Sequence, residues 1–233
     1  MSNRRGILKR VRCLLYPYTE LRVYRHSVQS AAAFPADAIV SCGRREVLRE
    51  FESTESWHSK SEFVSSGAAR LVAGEKFYSV SENGLLLHWG WLIENQSSAF
   101  LTEVNQQARL PEHSGVFYDF YSHPVARGRG LNQRTLSTML NHASQIPNLQ
   151  YVYIFVEADN GPSRHVIEKL GFDYQHSLFR QRYLIFSRQW RASQGDTNEP
   201  ANGRCGSGER HAMLPQSVPD SLVVVSTTDC VLC

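Results

Sequence analysis

Six consecutive residues, Arg127-Gly128-Arg129-Gly130-Leu131-Asn132, carry the clearest chemistry in this sequence. They follow an aromatic, β-prone run from Val116 to Tyr121 and precede a segment where Leu136, Met139, Leu140 and Ala143 share a helical face. The spacing therefore predicts strand, loop and helix in that order. The free N–H groups and the dipole of a helix start make an anion site. Glycine lets the backbone approach a phosphate without a Cβ, and Arg127 or Arg129 can add charge. A tight turn beside two solvated arginines is the plainer account of the same residues. Just upstream, Asp119 stands among Phe117, Tyr118, Phe120 and Tyr121, and His123 precedes Pro124. A carboxylate and an imidazole so close to an anion loop are candidates for proton transfer. A structural aspartate and a loop histidine are the alternatives.

Several elements must position these groups. Leu21 to His26 reads as a strand, and Arg44 to Phe51 as a helix with Val47, Leu48 and Phe51 inward. Phe77 to Val80 and Leu85 to Ile93 are joined by Ser81-Glu82-Asn83-Gly84, whose Asn-Gly pair signals a β-hairpin. Tyr151 to Val156 is apolar on both alternating faces, as expected of an interior strand near the sheet centre. A helix from Pro162 to Leu170 stops at Gly171, and aromatic strands run from Phe172 towards Phe186. Trp89 and Trp91 alternate onto one strand face, with His88 and Gly90 opposite. They are either core or an aromatic wall for a ligand. The variable segments are 52 to 70 and 95 to 114, where a ligand pocket would be assembled.

The ends differ from the middle. Residues 1–18 hold a basic amphipathic helix, with Ile7, Leu8, Val11, Leu14 and Leu15 on one face and Arg4, Arg5, Lys9, Arg10 and Arg12 elsewhere. Its 4–15 stretch can make weak peripheral contact with an anionic membrane or cap the domain's own sheet. Residues 19–190 form the one folded domain, and 191–233, rich in Ser, Gly, Asn and Pro, read as a disordered tail.

The chain has 233 residues, 42% of them hydrophobic, and a formal charge of +3, too mild to argue for nucleic acid. Five scattered cysteines fit a reducing cytosol better than a disulfide framework. With no apolar run of about 18 residues and no secretory pattern, the expectation is a soluble, cytoplasmic protein. Cys230-Val231-Leu232-Cys233 is a lone C-x-x-C without the second ligand pair of a zinc site, so no metal is expected. It also matches a prenylation box but lacks the usual upstream basic segment.

Over about residues 70 to 187 the sequence resembles the GNAT N-acetyltransferase superfamily. Arg127 to Asn132 is similar to its Q/R-x-x-G-x-G/A acetyl-CoA loop. Asn160-x-x-Ser163, followed by Gly171-Phe172, is similar to its second cofactor segment. The resemblance implies an α+β, three-layer fold with a mixed, mostly antiparallel central sheet flanked by helices. A splayed parallel strand pair, holding Asp119 and Val156, would take acetyl-CoA. It implies cofactor contacts from Tyr121, Ser122, Arg127, Gly128, Arg129, Gly130, Leu131, Asn132, Asn160 and Ser163, and an amine attacking a thioester with Asp119, or failing that His123, as base. The acceptor would be a small-molecule amine. His88-Trp89-Gly90-Trp91 before Tyr118-Asp119-x-Tyr121-Ser122 is also similar to a branch associated with envelope polysaccharides, which implies an amino-sugar acceptor with Trp89 and Trp91 binding it.

Two positions depart from the family pattern. Asn132 replaces the final Gly or Ala of the loop, a change tolerable for a residue that accepts positive φ. Ile167 stands where many members carry a tyrosine that protonates the departing thiolate. Another group or water must then supply the proton, or the thiolate leaves unaided, given a thiol pKa near 8.5. The alternatives are a catalytically silent CoA-binding or partner-binding module, or an aminoacyl transferase using charged tRNA. The weak charge and well-formed loop argue against the last.

Overall fold

The computed structural model describes residues 18–54, 59–183, 186–193 and the strand 223–225. The chain runs through β1 (Tyr18–Ser27), helix α1 (Val28–Ala31), β2 (Ser41–Cys42), a 3-10 turn (Arg45–Glu50) and α2 (Lys60–Val72). The hairpins β3 (Lys76–Glu82) with β4 (Leu85–Ile93), and β5 (Ser98–Leu101) with β6 (Gln106–Arg109), come next. Then come β7 (Ser114–Ser122), a 3-10 turn (Pro124–Ala126), α3 (Leu131–Ala143), β8 (Tyr151–Glu157) and α4 (Gly161–Lys169). The strands β9 (Asp173–Arg182), β10 (Ser187–Ser193) and β11 (Val223–Val225) complete the described elements.

Eight strands form one sheet in the order β10-β9-β1-β8-β7-β4-β3-β2, and β11-β5-β6 form a small second sheet. Among the described residues, β7 and β8 are the one parallel pair of the large sheet, and they occupy its middle. This is the mixed, mostly antiparallel α+β architecture the motifs imply. The double-sided apolar pattern of β8 has its physical cause here. Val152, Ile154 and Val156 pack on the face covered by α1, α3 and α4, and Tyr153 and Phe155 pack on the other. That second face is covered by the first 3-10 turn, α2 and the β5–β6 hairpin. The β3–β4 turn uses Asn83 and Gly84, both at positive φ, as the Asn-Gly pair requires.

Some local expectations change. Arg44 to Phe51 forms a 3-10 turn over Arg45–Glu50 rather than an α-helix. Residues 60 to 70, assigned above to a variable segment, lie in α2, whose Ser59 and Glu62 make a reciprocal capping box that satisfies two orphan N–H groups. The 95 to 114 segment contains the β5–β6 hairpin. Strand β10 extends past Trp190 to Ser193, and Val223–Val225 pairs in parallel with β5; the rest of the 191–233 tail lies outside the described residues. The basic helix at 4–15 and the Cys230–Cys233 pair lie outside the described residues.

Candidate functional site

The site begins with an irregularity in the register between β4 and β7. His88 pairs with Ser122 and Trp89 with Tyr121, but Trp91 pairs with Tyr118, so Asp119 and Phe120 both lie opposite Gly90. This is a β-bulge, and Asp119 within it has a left-handed φ of 52°. The extra residue resets the alternation. Tyr118 and Tyr121, three apart, both face the α2 side, whereas Phe120 faces α3. Gly90 is required by this arrangement, because a Cβ there would lie 2.3 Å from the Phe120 ring.

The bulge is also where the sheet opens. The β7–β8 ladder runs from Ser114↔Tyr151 to Phe117↔Ile154 and stops there, although both strands continue to Ser122 and Glu157. Past Phe117 the facing main-chain edges of the two strands have no ladder partner in each other. The cleft so formed is lined by Phe120, Asn132, Leu136, Ile154 to Val156, Ser163 and Ile167. Asn132 Oδ1 and Ser163 Oγ are buried without a hydrogen-bond partner. Two such atoms in one apolar cleft are costly unless something polar meets them.

Above the cleft, Gly130 is the N-cap of α3 at φ 72°, and no side chain caps the helix. The first-turn N–H groups therefore lack both an intrahelical and a side-chain partner, which suits an anion. Leu131 anchors this end in the core, at 3% exposure. The two arginines of the loop differ. Arg129 makes a two-pronged surface pair with Glu82, at 2.6 and 3.1 Å, whereas Nε and Nη2 of Arg127 are buried and unpartnered. Gly128, at φ 76°, has nothing within 4 Å of a Cβ position, so its outer side is open. Asn160 acts as the N-cap of α4, its Oδ1 accepting from Ser163 N at 3.2 Å. Ile167, fully buried, faces the cleft from α4, where a tyrosine would have pointed.

On the opposite face a polar cluster sits beneath α2. Arg70 Nη1, in the last turn of α2, donates to Asp119 Oδ2, and the guanidinium lies 5.1 Å from the Trp91 ring and 5.3 Å from the Tyr118 ring. Tyr118 donates its hydroxyl to Glu75 Oε2. Burial raises the Glu75 carboxyl above its ordinary range, opposed by the Tyr118 hydrogen bond and by Arg70. Burial is also the largest cause of the upward shift at Tyr118. Asp119 Oδ1 is buried and has no partner.

The predicted residues thus divide between two faces. Asn132 and Ser163 line the cleft, and the Arg127–Leu131 turn leads directly into Asn132. Asp119 lies on the α2 face, held by Arg70. Tyr121 does not point into the cleft: the bulge turns its ring onto Trp89, with centroids 4.5 Å apart, and its hydroxyl bonds Thr54. Ser122 Oγ lies 2.7 Å from Nδ1 of His88, a histidine that burial pushes down to about 3 and therefore keeps neutral. His123 is a turn residue, its Nδ1 accepting from Val125 N at 3.4 Å and its N–H donating to Leu87 O. Trp89 and Trp91 are 1% and 0% exposed and pack in the core, so the aromatic-wall expectation is corrected. Tight packing of Phe51 and Phe63 on Trp89, and of Phe77 on Trp91, leaves no indole face for a sugar. Arg70 and Glu75 went unread in the sequence. The Ser59-x-x-Glu62 capping box could have revealed α2, and with it Arg70.

The central parallel pair thus parts beside an uncapped, glycine-led helix, which leaves main-chain edges and first-turn N–H groups open side by side. The chain belongs to the acetyltransferase (GNAT) domain family, whose sequence model matches residues 36–173. No curated protein matches it in sequence. Similar solved structures include a GNAT-family acetyltransferase of Colwellia psychrerythraea, 13% identical, TM-score 0.47, covering 80% of this chain and 62% of that one. A GCN5-related N-acetyltransferase of Sphaerobacter thermophilus is 11% identical, TM-score 0.46, covering 76% and 56%. Glucosamine-6-phosphate N-acetyltransferase of Arabidopsis thaliana is 13% identical, TM-score 0.37, covering 66% and 91%. The chain therefore spans less than two thirds of the first two. Among the described residues no helix is long and apolar enough to cross a membrane, and no group of three side chains could hold a metal.

Proposed function

We propose that this chain is an acetyl-CoA-dependent N-acetyltransferase acting on a primary amine of a small molecule. The observation that carries the reading is the β7–β8 cleft, where Asn132 Oδ1 and Ser163 Oγ are buried without partners below the uncapped start of α3. These features fit a ligand with a polyanionic end and an amide-bearing arm. The Gly128–Asn132 turn and Arg127 would hold its phosphates, and the unpaired edges of β7 and β8 together with Asn132 and Ser163 would hold the arm. When bound, acetyl-CoA supplies the thioester carbonyl. The chain's own contribution is orientation by these groups, exclusion of water by Phe120, Leu136 and Ile167, and proton acceptance on the far side of the sheet. Asp119 serves as base there, through its unpartnered Oδ1. With Ile167 at the cleft, no side-chain hydroxyl from that position assists the departing thiol.

A small primary amine is the acceptor class we infer. With both tryptophans in the core, nothing in the packing singles out an amino sugar of envelope polysaccharide. A second reading, a CoA-binding module without turnover, is favoured by Ile167. Calorimetric titration with acetyl-CoA, followed by a thiol-release screen over amino sugars, polyamines, amino acids and peptides, tests both. Binding with release supports transfer, binding without release supports the silent module, and absence of binding refutes the cleft assignment.

A further inference from the structure

We propose that Arg70 is a positioning residue for this reaction, orienting the Asp119 carboxylate so that one oxygen is occupied and the other is left for the acceptor ammonium. The inference rests on the amine-acetylation reading above.

The geometry around Asp119 carries it. Asp119 occupies a left-handed bulge position, so its side chain leaves β7 at an angle that ordinary alternation would not give. Its own strand gives the carboxylate no donor, and Arg70 reaches it from α2, 49 residues away in sequence. The guanidinium is itself fixed, lying against the rings of Trp91 and Tyr118 with its side chain two-thirds buried. Cation–π contact and planar geometry restrict where Nη1 points, which a lysine ammonium on a flexible stem would not do. The carboxylate is 91% buried, yet Oδ1 has no donor. A buried carboxylate oxygen left unmet beside a bulge at the sheet opening is the partner an incoming ammonium lacks. Glu75, bonded by the Tyr118 hydroxyl, adds a second carboxyl to the cluster around Arg70.

The test uses the full chain. Arg70→Met, Arg70→Lys, Asp119→Asn and the Arg70→Met/Asp119→Asn pair are compared with wild type in acetyl-CoA affinity by calorimetry. Thiol release is measured with the panel amine that gives the fastest wild-type rate. Arg70→Met should keep the acetyl-CoA Kd within about twofold and lower kcat by about 10- to 100-fold, the cost of misplacing a reacting group. Methylguanidine should restore part of the Arg70→Met rate, and Arg70→Lys should fall between. In the Asp119→Asn background the same replacement should change kcat less than about twofold, because Arg70 acts through Asp119. A kcat for Arg70→Met within about twofold of wild type, an equal loss in the Asp119→Asn background, or a matching loss of acetyl-CoA affinity each overturns the role. If Arg70→Met fails to fold by near-ultraviolet circular dichroism, Arg70→Lys carries the same criteria. A wild type that binds acetyl-CoA but releases no thiol overturns the activity and this role together. An active wild type with an Arg70→Met whose kcat stays within about twofold of it overturns this role alone.

Discussion

Gly90→Ala adds a single methyl to the strand opposite the bulge, and the structure sets its consequence. The new Cβ would sit 2.3 Å from Cε1, 2.5 Å from Cδ1 and 3.1 Å from Cζ of Phe120. Carbon atoms settle at about 3.5 Å or more, so the ring must retreat by roughly 1.2 Å. Phe120 is 2% exposed and cannot swing into solvent. Its open side is the β7–β8 cleft that it lines. Overpacking of this kind costs about 1–3 kcal/mol, and in a chain of this length each kcal/mol lowers Tm by about 2–4 °C. Thermal denaturation of Gly90→Ala should therefore show a Tm lower by several degrees. Because the displaced ring enters the cleft, acetyl-CoA affinity should fall by about 5- to 30-fold, the equivalent of about 1–2 kcal/mol. Adding Phe120→Leu, which removes the clashing ring atoms, should recover part of both losses. An unchanged Tm in Gly90→Ala would refute the packing argument, and a lowered Tm with unchanged acetyl-CoA affinity would refute the placement of the ligand beside Phe120.

Replacing Gly128 and Gly130 together with bulky residues should abolish acetyl-CoA binding measured by calorimetry, since both stand at positive φ and side chains would cover the open face of the turn. Arg127→Ala should weaken acetyl-CoA binding several-fold more than Arg129→Ala, whose guanidinium is already paired with Glu82. Asp119→Asn should lower kcat in the thiol-release assay; unchanged turnover across pH would remove it as the base. His88 should couple stability to pH. The folded chain keeps it neutral down to about 3 while the unfolded chain protonates near 6.5, so its contribution is full above pH 6.5 and is lost as pH falls towards 3. His26 and His176 shift in the same direction, and the raised Glu75 and Glu157 oppose them. The measure is therefore a difference: between pH 7 and 5 the urea midpoint of His88→Gln should fall less than that of wild type.

The glycine loop, the β3–β4 turn and the double-sided β8 were legible in the sequence because each is a local requirement. Positive φ at Asn83, Gly84 and Gly130 is written in the residue itself, and period-two or 3.6 patterns follow from which faces are buried. The family loop and its neighbours placed Asn132, Ser163 and Ile167 near one another before any contact was seen. The tertiary structure decided matters that depend on a second strand or helix. Alternation in the sequence puts Trp89 and Trp91 on one face but does not say whether that face is covered; α2 and the first 3-10 turn cover it, so the indoles are core. Nothing local marks Asp119 as a bulge residue, because a bulge exists only as a mismatch against β4, where Gly90 leaves room for Phe120. That mismatch turns Tyr121 away from the cleft and brings Asp119 under Arg70. An ion pair across 49 residues has no spacing signature, since it arises only when α2 packs on the sheet.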